Sequence, residues 1–213
     1  MNVDLMVVAF RHGPFWNFTY LVGSRAAGEA VVIDPAWDVA AVQARAATER
    51  LRITAAVVTH AHDDHAHGLA ALTHADVATL VHHADAADLG RLYDGPVTAV
   101  EDGHELPLGG HTVRLLHTPG HTAGSQCALV DGALFTGDTL MIGSVGRAGP
   151  SPGAVEALWR SVAGVIAVLP DATTLYPGHD YGRRPHAALG DERRTTPGLA
   201  ATEFEDFRRA LGR

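Results

Sequence analysis

Four apolar runs in this chain each lead directly into a histidine or an aspartate: VVTH closes at His60, LLHTPGH at His121, ALFTGD at Asp138 and TLYPGH at His179. Runs rich in Val, Ile, Leu and Phe and bounded by Gly or Pro are strands. Four strands that all hand over a polar side chain at the C-terminal end bring those side chains to one edge of a packed scaffold. Gly120, Gly137 and Gly178 stand beside three of the four, where the backbone has to turn sharply without a Cβ clash. Few architectures satisfy this pattern, so it limits the fold more than any total does.

The remaining patterning fills in the scaffold. LMVVAF (5–10), FTYLVG (18–23), AVVIDP (30–35), TAAVVT (54–59) and VATLV (77–81) are strands, with helices expected over 38–51, 68–72 and 85–93. Beyond Gly95-Pro96 come HTVRLLHT (111–118), SQCALV (125–130) and ALFTG (133–137), the last two joined by the hairpin signal Asp131-Gly132. GSVGRAGPSPG (143–153) is a loop, and Val155, Leu158, Trp159, Val162, Val165, Ile166 and Leu169 form one face of the helix after it. TTLYPGHDYG (173–182) is a last strand running into a loop, and a charged helix lies near 203–211. Two runs of strands, each with helices attached, predict an α/β (α+β) fold with helices outside two packed sheets. At 213 residues this is one domain, spanning residues 1–213.

Composition removes several function classes. A net charge of −8 argues against a nucleic-acid surface, which needs concentrated basic residues. All 16 positive side chains are Arg, so lysine Schiff-base chemistry is excluded. Cys127 has no second cysteine to pair with and sits in a strand, where a structural role is expected. No leader pattern opens the chain and no apolar run approaches the roughly 20 residues of a membrane span, so a cytoplasmic, non-membrane protein is expected. The sequon at Asn17 is then incidental. Neither a GxSxG elbow nor a P-loop is present.

The segment THAHDDHAHG, residues 59–68, is the densest polar cluster, and unpaired imidazoles and charges are costly to bury. His60 and His62, two apart on leaving a strand, can share one metal ion, and Asp64 and His65 can address a second. His121 added to the first pair and His179 to the second gives three protein ligands per ion, with Asp138 as a bridging carboxylate. Each ion would keep a position for water, as catalytic sites do.

The ordered set His60-Ala61-His62-Asp63-Asp64-His65, GHT at 120–122, GD at 137–138 and GH at 178–179 resembles the metallo-β-lactamase superfamily from about residue 5 to 198. That resemblance implies an αββα sandwich with the metals along one edge. HTPGHTAGS, FTGDTLMIGSVGR and LYPGHDYG look most like glyoxalase II and the persulfide dioxygenases. It implies metal 1 on His60, His62 and His121, metal 2 on Asp64, His65 and His179, and Asp138 bridging. The implied cofactors are two divalent metal ions, zinc in preference to iron. A metal-bridging hydroxide, oriented by Asp64 and Asp138, would attack a thioester carbonyl. Arg147 and Tyr181, on loops beside the site, are substrate-contact candidates for a small molecule.

Rival readings remain. A persulfide dioxygenase would use a single iron on His60, His121 and Asp138, and the tail GDERRTTPGL at 190–199 is similar to that group. A lactone or phosphoester substrate is open, as is a metal-binding module without activity. Glyoxalase II carries a C-terminal helical domain that this chain is too short to hold, so the thiol carrier need not be glutathione. Its carboxylate would meet Arg147, Arg183 or Arg184, and the face left bare would suit a homodimer. Asp34 and Asp63 are candidates to support the ligands, His67 and His117 are ordinary polar residues, and His74, His82, His83, His104, His111 and His186 are expected at the surface.

Overall fold

A computed structural model describes residues 4–72 and 76–212, so His74 lies outside it. The first sheet has the order β1 (Leu5–His12), β2 (Asn17–Ser24), β3 (Glu29–Ile33), β4 (Arg52–Val57), β5 (Ala78–His82) and β6 (Thr98–Val100). Its first three strands are antiparallel and β3 to β6 run parallel, crossing over through α1 (Val39–Thr48), then α2 (Asp63–Ala66) and α3 (Leu69–Leu72), then α4 (His83–Leu92). The second sheet contains β7 (Glu105–Leu108), β8 (His111–His117), β9 (Gln126–Val130) and β10 (Ala133–Gly137). A small hairpin, β11 (Leu140–Met141) with β12 (Ser144–Val145), then precedes α5 (Ala154–Ser161). β13 (Thr174–Pro177) pairs parallel to β10, and β14 (Ala187–Ala188) forms the edge. The chain closes with α6 (Leu189–Thr195), α7 (Pro197–Ala200) and α8 (Phe204–Ala210).

Alternation along the strands makes four layers. Phe18, Tyr20, Val31, Ile33, Leu115 and Phe135 fill the space between the sheets. Their neighbours point outward: Leu21 and Val32 meet Val42 and Leu89 of α1 and α4, while Cys127 and Leu134 meet Leu158 of α5 and Phe207 of α8. Both faces of each sheet are therefore covered, which is why the strands read as unbroken apolar runs. The Asp131-Gly132 hairpin is present, with φ of 45° and 80°, both in the left-handed region such a turn demands. The helix expected through Leu169 instead widens into a π turn over Val162–Ile166.

Among the described residues no helix is long and apolar enough to cross a membrane. Asn17 is fully buried, which rules out its sequon as an accessible acceptor in the folded chain. Two expectations about histidines fail. His111 is buried because it sits between Asp4 (Nε2 to Oδ2, 2.9 Å) and Asp131 (Nδ1 to Oδ2, 2.8 Å), tying the start of β1 to the β9–β10 hairpin. His82 is buried because it caps α4 and lies flat against His117, ring centroids 3.8 Å apart. Burial, with the His117 and His83 rings beside it, lowers the His82 pKa to about 4.

Candidate metal centre

The polar edge predicted from the strand ends is present. β4 runs into His60 and His62, and α2 begins with Asp63 and carries Asp64 and His65. His121 follows β8, Asp138 follows β10 and His179 follows β13. Donor atoms of His60, His62 and His121 converge to within 4.8 Å, as do those of Asp64, His65 and His179, and those of His60, His65 and Asp138. The structure thus brings all seven expected ligands together.

Hydrogen bonds on the far side of each ring decide which nitrogens face inward unprotonated. His65 Nδ1 donates to Asp34 Oδ2 (2.9 Å), His121 Nδ1 to the Arg147 carbonyl (2.7 Å) and His179 Nδ1 to the Phe15 carbonyl (2.9 Å). Thr59 Oγ1 spends its proton on Asp34 Oδ2 (2.7 Å), so it accepts from His60 Nδ1 (3.1 Å). A neutral imidazole has one N–H, which leaves Nε2 of all four rings as a bare lone pair. Those lone pairs meet. His65 Nε2 and His179 Nε2 are 3.2 Å apart, and His60 Nε2 and His121 Nε2 lie 2.9 Å and 3.0 Å from His62 Nδ1. Between neutral rings His62 can donate to one neighbour and not to both, and the His65–His179 contact has no donor. Positive charge at these contacts, as a metal ion or as a proton on His65, makes the convergence favourable.

Asp138 completes the fit. Its Oδ1 lies 3.4 Å from Nε2 of both His65 and His179, and its Oδ2 lies 3.4 Å from His121 Nε2. Oδ1 is buried without a hydrogen-bond partner, which costs about 1–3 kcal/mol unless a cation takes its place. The space around it is kept open by Gly178, where a Cβ would stand 2.6 Å from that oxygen and 2.8 Å from His65 Cε1. Gly120 and Gly137 do adopt the left-handed turns expected of them, but Gly178 is required for room.

The two clusters differ electrostatically. Burial, reinforced by the neighbouring rings, holds the His60 and His62 pKa values down. Burial also opposes charge on His65, but Asp138 and Asp34 outweigh it and raise its pKa to about 9. His179 is raised in the same way by Asp138. Burial works against the Asp138 carboxylate too, yet His65 and His179 hold it far below the usual carboxylate range.

Three supporting residues emerge. Asp34 stands in the left-handed region (φ 47°), and its carboxylate accepts from Thr59 N and Thr59 Oγ1 (2.7 Å each) as well as from His65. Such a conformation for a residue other than glycine costs about 1–3 kcal/mol and persists where the surroundings fix it. Asp85, in the first turn of α4, accepts from Ala61 N (3.0 Å), Thr122 Oγ1 (2.7 Å) and Gly124 N (2.7 Å), so it holds the His60–His62 turn against the His121 turn. Asn17 donates from Nδ2 to Asp64 Oδ2 (3.0 Å) and accepts from Trp37 Nε1. Asp34 and Asp85 obey the strand-end pattern that marks the ligands, following β3 and β5, so that pattern could have marked Asp85. Nothing in the sequence marked Asn17 as a support for Asp64.

Arg147 and Tyr181 both line the cleft of about 430 Å³ that opens over Asp64, Asp138 and His179. Tyr181 stacks on His179 with ring planes 4° apart. Asp63 faces solvent and pairs with His67 rather than with a ligand, and His67 packs on Trp37. His117 Nε2 donates to the Ala123 carbonyl. Cys127 is buried and its thiol pKa is pushed up to about 12 by burial, which suits a packing role.

The metallo-beta-lactamase superfamily model matches residues 13–179, which include every candidate ligand above. The chain belongs to the metallo-beta-lactamase superfamily. It is 30% identical to the probable polyketide biosynthesis zinc-dependent hydrolase BaeB of Bacillus velezensis, over 82% of this chain and 77% of that protein. It is 40% identical to a hydroxyacylglutathione hydrolase from a Polaromonas species, over 78% of this chain but 62% of that one. With the human mitochondrial persulfide dioxygenase ETHE1 it shares 33% identity, over 92% of this chain and 76% of the relative. Among solved structures, ETHE1 from Myxococcus xanthus superposes with a TM-score of 0.82 at 29% identity, covering 97% of this chain and 90% of that one.

Proposed function

We propose that this member of the superfamily is a two-metal hydrolase of thioesters. The observation that carries the reading is the pair of three-residue clusters joined by Asp138, whose Oδ1 is buried without a hydrogen-bond partner. His60, His62 and His121 would hold one ion, Asp64, His65 and His179 the other, with Asp138 shared. Imidazole and carboxylate donors suit zinc, and similarity to BaeB supports that choice. Bound there, divalent ions supply a water of pKa about 7 and polarise an acyl oxygen.

The chain's own groups arrange the rest. Asn17 holds Asp64 Oδ2 toward His65 and His179, 3.8 Å and 3.6 Å away. Exposed Phe15 and Tyr181 flank the cleft and offer apolar walls to an acyl group. Among the described residues Arg147 is the one arginine lining it and would pair with a carboxylate on the thiol half. In the reaction the oxygen of water bonds to the acyl carbon while the C–S bond breaks. The electron pair leaves on sulfur as thiolate, which needs no strong acid, and the proton of water passes to solvent. Similarity to a hydroxyacylglutathione hydrolase supports the thioester.

A second reading has its own support, because the human persulfide dioxygenase aligns over 92% of this chain. In it, one iron on His60, His121 and Asp138 would serve oxidation of a persulfide by dioxygen. One experiment separates the two. Elemental analysis of purified protein is combined with thiol release from glutathione and coenzyme A thioesters and with oxygen uptake on a persulfide. Two zinc ions per chain with thiol release is expected. One iron with oxygen uptake and no thiol release would replace the hydrolase reading.

A further inference from the structure

The parallel strands β3 to β6 form a series at their C-terminal ends. β3 delivers Asp34 and β4 delivers Thr59 and His60, all within the metal centre. β5 and β6 continue along the same edge. His82 pairs in register with Val100, so Glu101 emerges beside His82 and His83. His83 Nε2 lies 3.3 Å from Glu101 Oε2, and the His82 and His83 rings are 4.4 Å apart between centroids. Donor atoms of His82, His83 and Glu101 fall within 4.8 Å of one another. None of the three is a ligand of the centre described above.

We propose that His82, His83 and Glu101 form a separate, peripheral site for a divalent transition-metal ion of the zinc, nickel or copper class. Two imidazoles and one carboxylate are donors for such ions, whereas magnesium and calcium prefer all-oxygen shells. His82 is the rigid member. Its ring is buried, and His117 lies flat against it with 5° between planes, itself anchored by its bond to the Ala123 carbonyl. The competitor for its lone pair is a long 3.3 Å bond from Ala84 N to Nδ1. His83 and Glu101 are the adjustable members, with side chains 53% and 78% exposed, free to close on an ion from solvent. The positive end of α4 opposes a cation here, and the carboxylates of Glu101 and Asp85 offset it. An ion would clip the start of α4 to the end of β6. Since α4 carries Asp85, the clip would stiffen the support of the His60–His62 and His121 turns.

The test uses the holoprotein, freed of loose metal by desalting and equilibrated by dialysis against zinc chloride. Wild type is expected to take up one zinc per chain beyond its resident metal and to show a higher melting temperature with zinc. His83→Ala and Glu101→Gln should each weaken that uptake by about tenfold or more and shrink the thermal shift, with resident metal unchanged. His186→Ala, at an exposed histidine elsewhere, should behave as wild type. The proposal fails if wild type takes up no added zinc, or if both site variants bind it as wild type does. Resident metal is counted in the same samples, so failure here is distinguishable from failure of the hydrolase reading.

Discussion

The two halves of the metal centre are built from different materials. Around His60, His62 and His121 the donors are all imidazoles, and burial among like rings keeps them uncharged. Around His65 and His179 stand Asp34, Asp64 and Asp138, and the two rings are drawn toward positive charge. Their supports differ as well. Asp34 grips a ligand ring directly, while Asp85 touches no ligand and fixes the spacing of two turns through their backbone and a threonine hydroxyl. The contrast teaches that one half is held by electrostatics on side chains and the other by the geometry of loops, with Asp138 common to both.

Asp138→Ala attacks what the halves share and should have the largest effect. It should cost more than about a hundredfold in activity and lower the metal content of both clusters, measured by elemental analysis and thioester turnover. Loss of a single ion would mean that the carboxylate is not shared. Asp34→Asn and Asp85→Asn then test the contrast itself. Each should reduce metal affinity by about 10–100-fold, measured by chelator competition. Asp34→Asn should act through the His65–His179 half and Asp85→Asn through the His60–His62–His121 half. Cobalt substitution would separate them by the spectrum that changes, and identical spectra would dissolve the distinction.

Asn17→Ala should have a smaller effect, a several-fold loss of turnover with His121-side binding unaltered, because it only orients Asp64. The smallest effect concerns a histidine remote from the candidate metal centre. Hydrogen bonds donated to Asp4, against some cost of burial, and then to Asp131 raise the His111 pKa. A raised folded-state pKa gives stability that is full below the unfolded value of about 6.5 and declines as pH rises through the folded value. The melting temperature of His111→Gln should therefore trail wild type most at pH 5.5–6 and approach it above the folded pKa. A gap that widens with pH would reverse the assignment.

Much of this was legible because burial writes itself into the chain. Strands covered on both faces are apolar throughout, so a polar residue at their ends is conspicuous, and His60, His121, Asp138 and His179 were found that way. Elements of two residues such as β11, β12 and β14 are too short to leave a period in the sequence. His82 and His111 were misplaced at the surface for a related reason. A histidine is tolerated inside when a stacked ring or flanking carboxylates satisfy it, and those partners are distant in the chain, Asp4 being 107 residues from His111.

The sequence by itself determined the layered α/β architecture and which His and Asp residues converge at the strand ends, since period and residue type are local properties of the chain. Only the tertiary structure decided which nitrogen of His60, His65, His121 and His179 faces the centre. The Arg147 and Phe15 carbonyls, Thr59 and Asp34 select the inward lone pairs, and three of those four contacts cross at least 26 positions of sequence. It alone also revealed Asp85 as the tie between two turns and put His82, His83 and Glu101 side by side. A hydrogen bond needs direction and a distance near 3 Å, and folding sets both at once for residues that the linear pattern leaves unrelated.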